Sequence, residues 1–128
     1  MKEQKISVVI PCLNEEEHIE TCIRSIIDNG YPQNLLEIIV VDGNSNDGTL
    51  SILAQLKTEY NQIKIVENQK KITPVSLNLG LNTASSPFVL IASAHSSFDK
   101  HYIEVLINAL KGTPDAIGVG GPMKTLVK

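Results

Sequence analysis

The sequence predicts an α/β fold, a mostly parallel sheet with helices on both faces, and three observations carry that prediction. Short β-branched runs of four or five residues alternate with longer segments of helical period. Most of those runs lack polar alternation, as strands covered on both faces do. The chain, at 128 residues and 42% apolar, has the size and composition of one domain, large enough to bury about two thirds of its unfolded surface without a metal or disulfide staple.

The first run is Ile6-Ser7-Val8-Val9-Ile10. A helix from about Glu15 to Asn29 follows, because Ile19, Cys22, Ile23, Ile26 and Ile27 recur on one helical face and Gly30 stands where a helix ends before Pro32. The second strand is Glu37 to Val41, and the next helix covers Gly48 to Glu59 through Leu50, Leu53 and Leu56. A third strand at Ile63 to Val66 leads to a helix from Pro74 to Ala84, in which Leu77, Leu81 and Ala84 share a face with Gly80. Thr73 is placed to cap that helix and Pro74 to fill its first position. Phe88 to Ala92 is the fourth strand, Asp99 to Leu110 the fourth helix through Ile103, Leu106, Ile107 and Leu110, and Ala116 to Val119 a fifth strand. Right-handed crossovers then put a ligand at the carboxyl ends of the strands, near a reversal of strand order.

Composition narrows the partners. Eleven Lys and Arg against 14 Asp and Glu give a net charge of −3, which argues against nucleic acid or anionic lipid. Aromatic residues are 4% and Trp is absent, leaving few platforms for stacked bases or long sugar chains. No apolar run approaches the roughly 18 residues that span a bilayer, and Met1 to Lys5 lead into a strand rather than a signal peptide. Cys12 and Cys22 have no zinc-like spacing and read as reduced thiols. The expectation is a soluble, cytoplasmic chain.

Three loops should hold the chemistry. Pro11 to Glu17 has no glycines, so it is neither a Walker loop nor a dinucleotide fingerprint. Asn14 followed three residues on by Glu17 reads as a capping box, with Glu16 also suited to a helix start, while Glu15 stands at the mouth of the crevice. In Asp42 to Thr49, Asp42 lies at the tip of a buried strand. It can accept hydrogen bonds from a ring N–H or ribose hydroxyl, or make an Asx-turn, as Asn44 also can; Asp47 reads as the cap of the next helix. The third loop is Ser93 to Phe98.

Taken together, Ile6 to Glu16, Ser25 to Pro32, Glu37 to Thr49 and Leu77-Asn78-Leu79-Gly80 resemble the amino-terminal half of family 2 glycosyltransferases, which have the GT-A fold. Within that family, Ala94-His95 and Gly118-Val119-Gly120-Gly121-Pro122-Met123 look most like the succinoglycan-biosynthesis type, which build bacterial surface polysaccharide. The resemblance implies inverting transfer of a sugar from a UDP- or GDP-type donor to the hydroxyl of a saccharide or lipid-linked acceptor. It gives nucleotide-binding roles to Pro11, Leu13, Glu15 and Asp42, and to Lys71 with Lys70 as its alternative. Asn78 matches a family position too, whether as ligand contact, cap or packing residue.

The resemblance also implies a divalent cation, Mn²⁺ or Mg²⁺, at an Asp-X-Asp triplet after the fourth strand. Here that triplet is Ser93-Ala94-His95, with both aspartates missing. His95 is a reasonable Mn²⁺ ligand and Ser93 a weak one, so the expected ion is loosely held, mostly through donor phosphates. The general base comes in the family from a later segment, and Asp99 and Glu104 belong by pattern to a helix start and its solvent side. The chain is therefore expected to be one nucleotide-sugar-binding domain, residues 1–128, inactive alone and part of a longer transferase attached to the inner face of a membrane. An open strand edge at Ala116 to Val119 predicts a homo-oligomer. Two other classes compete: an inactive nucleotide-binding module of the same fold, suggested by Ser93, and a phosphoacceptor receiver, disfavoured because the third strand ends in Glu67-Asn68.

Overall fold

The computed structural model describes residues 4–68, 73–86, 88–111 and 124–125. Four strands form one sheet: β1 (Ile6–Cys12), β2 (Leu36–Asp42), β3 (Ile63–Glu67) and β4 (Phe88–Ile91). Their order is β3-β2-β1-β4, and each neighbouring pair is parallel. The first four of the five strands read from the sequence are present, with β1 and β2 extended to Cys12 and Asp42, so that these residues face each other in register. The expected fifth strand and the Gly118 to Met123 motif lie outside the described residues, and so does the edge from which self-association was expected.

Three helices cover one face of the sheet. α1 (Ile19–Ile27), α2 (Thr49–Glu59) and α4 (Tyr102–Lys111) bury Ile23, Leu53 and Ile103 against Val8, Ile10, Ile38 and Val40. The other face is covered by α3 (Thr73–Thr83), beneath which Val9, Ile39 and Val41 make a smaller core with Leu79 and Ala84. Coverage on both faces therefore holds for β1 and β2. The flanking strands are partly open: Val89 and Ile91 of β4, on the α3 side, are 39% and 51% exposed.

Gly80 explains how α3 sits so close. A Cβ at this position would lie 2.3 Å from Val9 Cγ1, so only glycine allows the helix to rest on β1 and β2. The buried side of α3 is consequently the Ser76 and Gly80 side, and Leu81, expected to share it, is 46% exposed. In α2 the expectation for Leu50 also fails: Thr49, Leu53 and Leu56 are buried and Leu50 is exposed.

Helix starts differ from the sequence pattern for local reasons. α1 begins at Ile19 rather than Glu15, because the Glu15 carbonyl accepts from the amides of both His18 and Ile19 and closes a turn first. Asn14 adopts a left-handed φ of 51°, and its side-chain oxygen accepts from Asn46 N at 2.9 Å. The expected Asn14–Glu17 capping box is thus not formed, and His18 takes the N-cap position without a side-chain bond. α4 starts at Tyr102 instead of Asp99, after His101 at a φ of 67°.

A polar joint ties α1 to the segment before α4. Asn29, 1% exposed, donates to Asp99 O at 2.8 Å and accepts from Ile103 N at 2.9 Å. Its carbonyl takes His101 N, and Ser25 Oγ accepts from Phe98 N at 3.1 Å. In this joint the buried Asn29 side chain is paired at both its oxygen and its nitrogen, as burial requires. Within the same segment, Ser96–Ser97 forms a short strand β5, antiparallel to β6 (Lys124–Thr125). At the amino end of the sheet, Glu37 accepts from Ser7 Oγ and Lys64 Nζ at 2.6 Å and from Ser85 N at 3.1 Å.

Candidate functional site

Strand order fixes where the site lies. The chain runs outward from β1 to β2 and β3, then returns to place β4 on the other side of β1. This reversal falls at the carboxyl ends of β2, β1 and β4, where open parallel sheets form their ligand crevice. The loops containing Glu15, Asp42 and His95 all leave from these ends.

The loops after β1 and β2 are stitched together through main-chain donors. Asn14 N donates to Ser45 Oγ at 2.8 Å, Glu15 N to Thr49 Oγ1 at 3.0 Å and Gly48 N to Glu16 Oε2 at 3.0 Å. Asp47 accepts from Thr49 N at 2.9 Å. Burial works to raise the Asp47 pKa, but the bonds from Thr49 and from Glu16 N outweigh it, and the net shift is downward. Gly48, not Asp47 as expected, is the N-cap of α2, and Asp47 stands one residue before it, accepting from the first helical amide, Thr49 N. Glu16 holds the β2 loop instead of serving its own helix.

Asp42 is 1% exposed. Its carboxylate accepts from Ser45 N at 2.9 Å and Ser45 Oγ at 2.6 Å, which closes the loop three residues on, one residue further than the expected Asx-turn. Its carbonyl accepts from Asn68 N at 2.7 Å, and the Asn68 amide in turn donates to Ser76 Oγ at 2.8 Å. Sequence reasoning passed over Ser45 and Asn68. The Asp-X-X-Ser spacing was the available signal for Ser45, since that is the register of a side-chain-closed turn; for Asn68 it was a polar residue directly after a strand.

On the other side of β1 the arrangement is more open. His95 Nδ1 lies 2.9 Å from Glu15 Oε2, and His95 Nε2 lies 3.2 Å from Ser93 Oγ. The His95 side chain is 47% exposed and that of Glu15 18%. Cys22 Sγ donates to Ser93 O at 3.4 Å, fixing the base of this loop to α1. Both cysteines are free and buried. Burial, and then the charge of Glu15, push the Cys22 thiol up to about 12; burial followed by the charges of Asp42, Glu15 and Asp47 raises that of Cys12 further.

The structure thus brings together three of the residues singled out from the sequence: Glu15, Ser93 and His95. Asp42 stands across β1, turned into its own loop. Pro11 is half-buried on β1, and Leu13 is 40% exposed at the loop. Lys71 and Lys70 lie outside the described residues. Asn78 is exposed on α3, so it does not pack against the sheet.

A family model described as glycosyl transferase family 2 matches residues 7–127. The chain belongs to glycosyl transferase family 2. It is 35% identical over 122 residues to a dolichyl N-acetyl-alpha-D-glucosaminyl phosphate 3-beta-D-2,3-diacetamido-2,3-dideoxy-beta-D-glucuronosyltransferase of Methanococcus voltae, covering 91% of this chain and 38% of that protein. Against the succinoglycan biosynthesis protein ExoA of Rhizobium meliloti it is 33% identical over 115 residues, 88% of this chain and 34% of ExoA. The chain therefore spans about a third of the length of these relatives. Among solved structures, the mannosyltransferase PcManGT from Pyrobaculum calidifontis, in complex with GDP-Man and Mn²⁺, matches with a TM-score of 0.81 at 25% identity, over 86% of this chain and 33% of that one. S. aureus TarS 1-349 in complex with UDP-GlcNAc matches with a TM-score of 0.78 at 23% identity, over 92% and 37%. The fold is GT-A, as the sequence resemblance implied.

A family 2 chain raises the question of a divalent cation. At the triplet the protein offers one imidazole nitrogen and one hydroxyl, both neutral donors, and the second imidazole nitrogen already faces Glu15. Among the described residues no three His, Cys, Asp or Glu side chains gather to hold a metal ion. Hard divalent cations are held by carboxylate oxygens, so these residues do not fit a resident Mn²⁺ or Mg²⁺. No helix among the described residues is long and apolar enough to cross a membrane.

Proposed function

We propose that residues 1–128 form the nucleotide-sugar-binding domain of an inverting glycosyltransferase that builds surface polysaccharide. The observation that carries this reading is the convergence of Glu15, Ser93 and His95 at the reversal of strand order in a family 2 chain. The relatives support it: succinoglycan biosynthesis for ExoA, and complexes with UDP-GlcNAc and GDP-Man for two proteins of the same fold.

In this reading a UDP- or GDP-type donor lies across the crevice. The nucleoside sits on the Pro11, Leu13 and Asp42 side, the family resemblance gives Lys71 the contact to base or phosphate, and the diphosphate lies towards Ser93 and His95. Asp42 contributes through the loop it shapes, since its carboxylate is occupied by Ser45. An acceptor hydroxyl on a saccharide or lipid-linked chain attacks the anomeric carbon. As that C–O bond forms, the bond to the diphosphate breaks, and a general base takes the hydroxyl proton. No residue of this chain is assigned as that base. A second reading, a nucleotide-binding module without transfer, is favoured by the uncharged Ser93 in the triplet.

Calorimetric titration with UDP, GDP, TDP and CDP tests the donor site: selective binding of one diphosphate is expected, and no binding by any of them rejects it. Transfer from the matching nucleotide sugar, assayed on a chain as long as the relatives, separates the two readings. Activity there rejects the inactive module.

A further inference from the structure

We propose that the Glu15–His95–Ser93 chain takes the place of a bound cation: His95 Nε2 and Ser93 Oγ meet the donor's diphosphate as hydrogen-bond donors, with Glu15 holding the imidazole, and nucleotide binding needs no divalent metal. The inference rests on reading the crevice as a nucleoside-diphosphate site.

The order of the three groups supports it. Glu15 is the inner member, 18% exposed, and His95 the outer one, 47% exposed. A ligand entering from solvent meets the ring before it meets the carboxylate. Both ends of the chain are fixed in advance. The Glu15 amide donates to Thr49 Oγ1 at 3.0 Å, its carbonyl takes His18 N and Ile19 N, and the Ser93 carbonyl takes the Cys22 thiol. Preorganised donors stabilise an anion without reorganisation at the moment of binding.

The hydrogen positions follow from the acceptors. The Glu15 carboxylate, 2.9 Å from Nδ1, accepts the hydrogen on that nitrogen. A diphosphate oxygen at the outward nitrogen accepts a hydrogen from Nε2, and Ser93 O–H supplies a second donor beside it, its oxygen 3.2 Å from Nε2. Each ring nitrogen then faces an acceptor, Glu15 on the inner side and the diphosphate on the outer, and a hydrogen bond to an anionic oxygen is the stronger kind. A metal at Nε2 and Oγ would find the Glu15 carboxylate already turned to the other ring nitrogen.

Calorimetry of UDP and GDP against the 128-residue chain, in EDTA and in Mn²⁺, tests the proposal, with circular dichroism as the control for folding. The affinity of the diphosphate that binds is expected to differ by less than about twofold between the two conditions. His95→Ala should weaken it about 10- to 100-fold, the range of a lost charge-assisted hydrogen bond. Glu15→Gln gives a test of sign: a carboxylate that holds the imidazole makes the variant bind more weakly, whereas a bystander negative charge makes it bind more tightly. The double replacement Ser93→Asp, His95→Asp should make binding depend on Mn²⁺. Tightening of the unaltered chain by Mn²⁺ of about tenfold or more, or tighter binding by Glu15→Gln, overturns the inference and leaves the donor site standing. No binding of either diphosphate by the folded chain overturns the donor reading and this inference with it.

Discussion

Asp42 and His95 stand on opposite sides of β1, at the end of β2 and just beyond the end of β4, and their surroundings treat them in opposite ways. The Asp42 carboxylate is sealed, its two oxygens taken by a serine three residues along the chain. The His95 ring is half open, and its partner Glu15 is 80 positions away. A polar residue at a strand end is therefore not a ligand contact by position alone. A carboxylate followed by free backbone amides tends to satisfy them first, whereas an imidazole in a loop with no such register is left facing the crevice.

Removing Asp42 should break the contrast most visibly. Asp42→Ala leaves the Ser45 amide and hydroxyl without their acceptor in a buried place, and the expected loss is about 2 to 4 kcal/mol of stability in urea denaturation. Asp42→Asn, which keeps an acceptor oxygen, should cost less. His95→Ala in the same measurement should change stability by less than about 0.5 kcal/mol, because an exposed side chain leaves nothing buried behind.

Acid sharpens the comparison by singling out a carboxylate at the far end of the sheet. Burial works to raise the Glu37 pKa, but the bonds from Lys64, Ser7 and Ser85 overcome it and bring the value from 4.5 down to about 2. The unfolded chain then binds this proton at higher pH than the folded one. The stabilisation is complete above pH 4.5 and is lost as pH falls from there towards 2. Glu37→Gln should remove this part of the acid dependence in pH-dependent unfolding. The smallest effect concerns reactivity: with Cys22 held at about 12 and Cys12 raised further, neither thiol should react with a disulfide reagent at pH 8 until the chain is unfolded.

The strands of the sheet were legible in the sequence because burial leaves a run such as Ile38-Ile39-Val40-Val41 no room for polar alternation. The helices were legible in their middles, and α2 and α3 begin within one residue of the reading, but α1 and α4 start late. Glu15 O captures two amides and delays α1, and Asn14 turns left-handed to reach Asn46; both are contacts between loops rather than within them. The burial of α3 went astray because a glycine, with no side chain to give a pattern, marks its closest approach to the sheet. In the site, Glu15, Ser93 and His95 could each be named, but the joining of Glu15 to His95 could not: local periodicity says nothing about which loop ends face each other once β4 has crossed to the other side of β1.

The joint made by Asn29 has a consequence in time. Ser7 and Glu37, which mark the pairing of β1 with β2, are 30 positions apart, whereas Asn29 reaches Asp99 across 70 and Ile103 across 74. Closing the longer loop costs more chain entropy, and contacts of high sequence separation form after local ones. The β1–α1–β2 unit should thus assemble first and the segment from Ser93 to α4 dock late, so Asn29→Ala should speed unfolding far more than it slows refolding. His95 travels with that late segment, and its meeting with Glu15 belongs to the closing step of assembly.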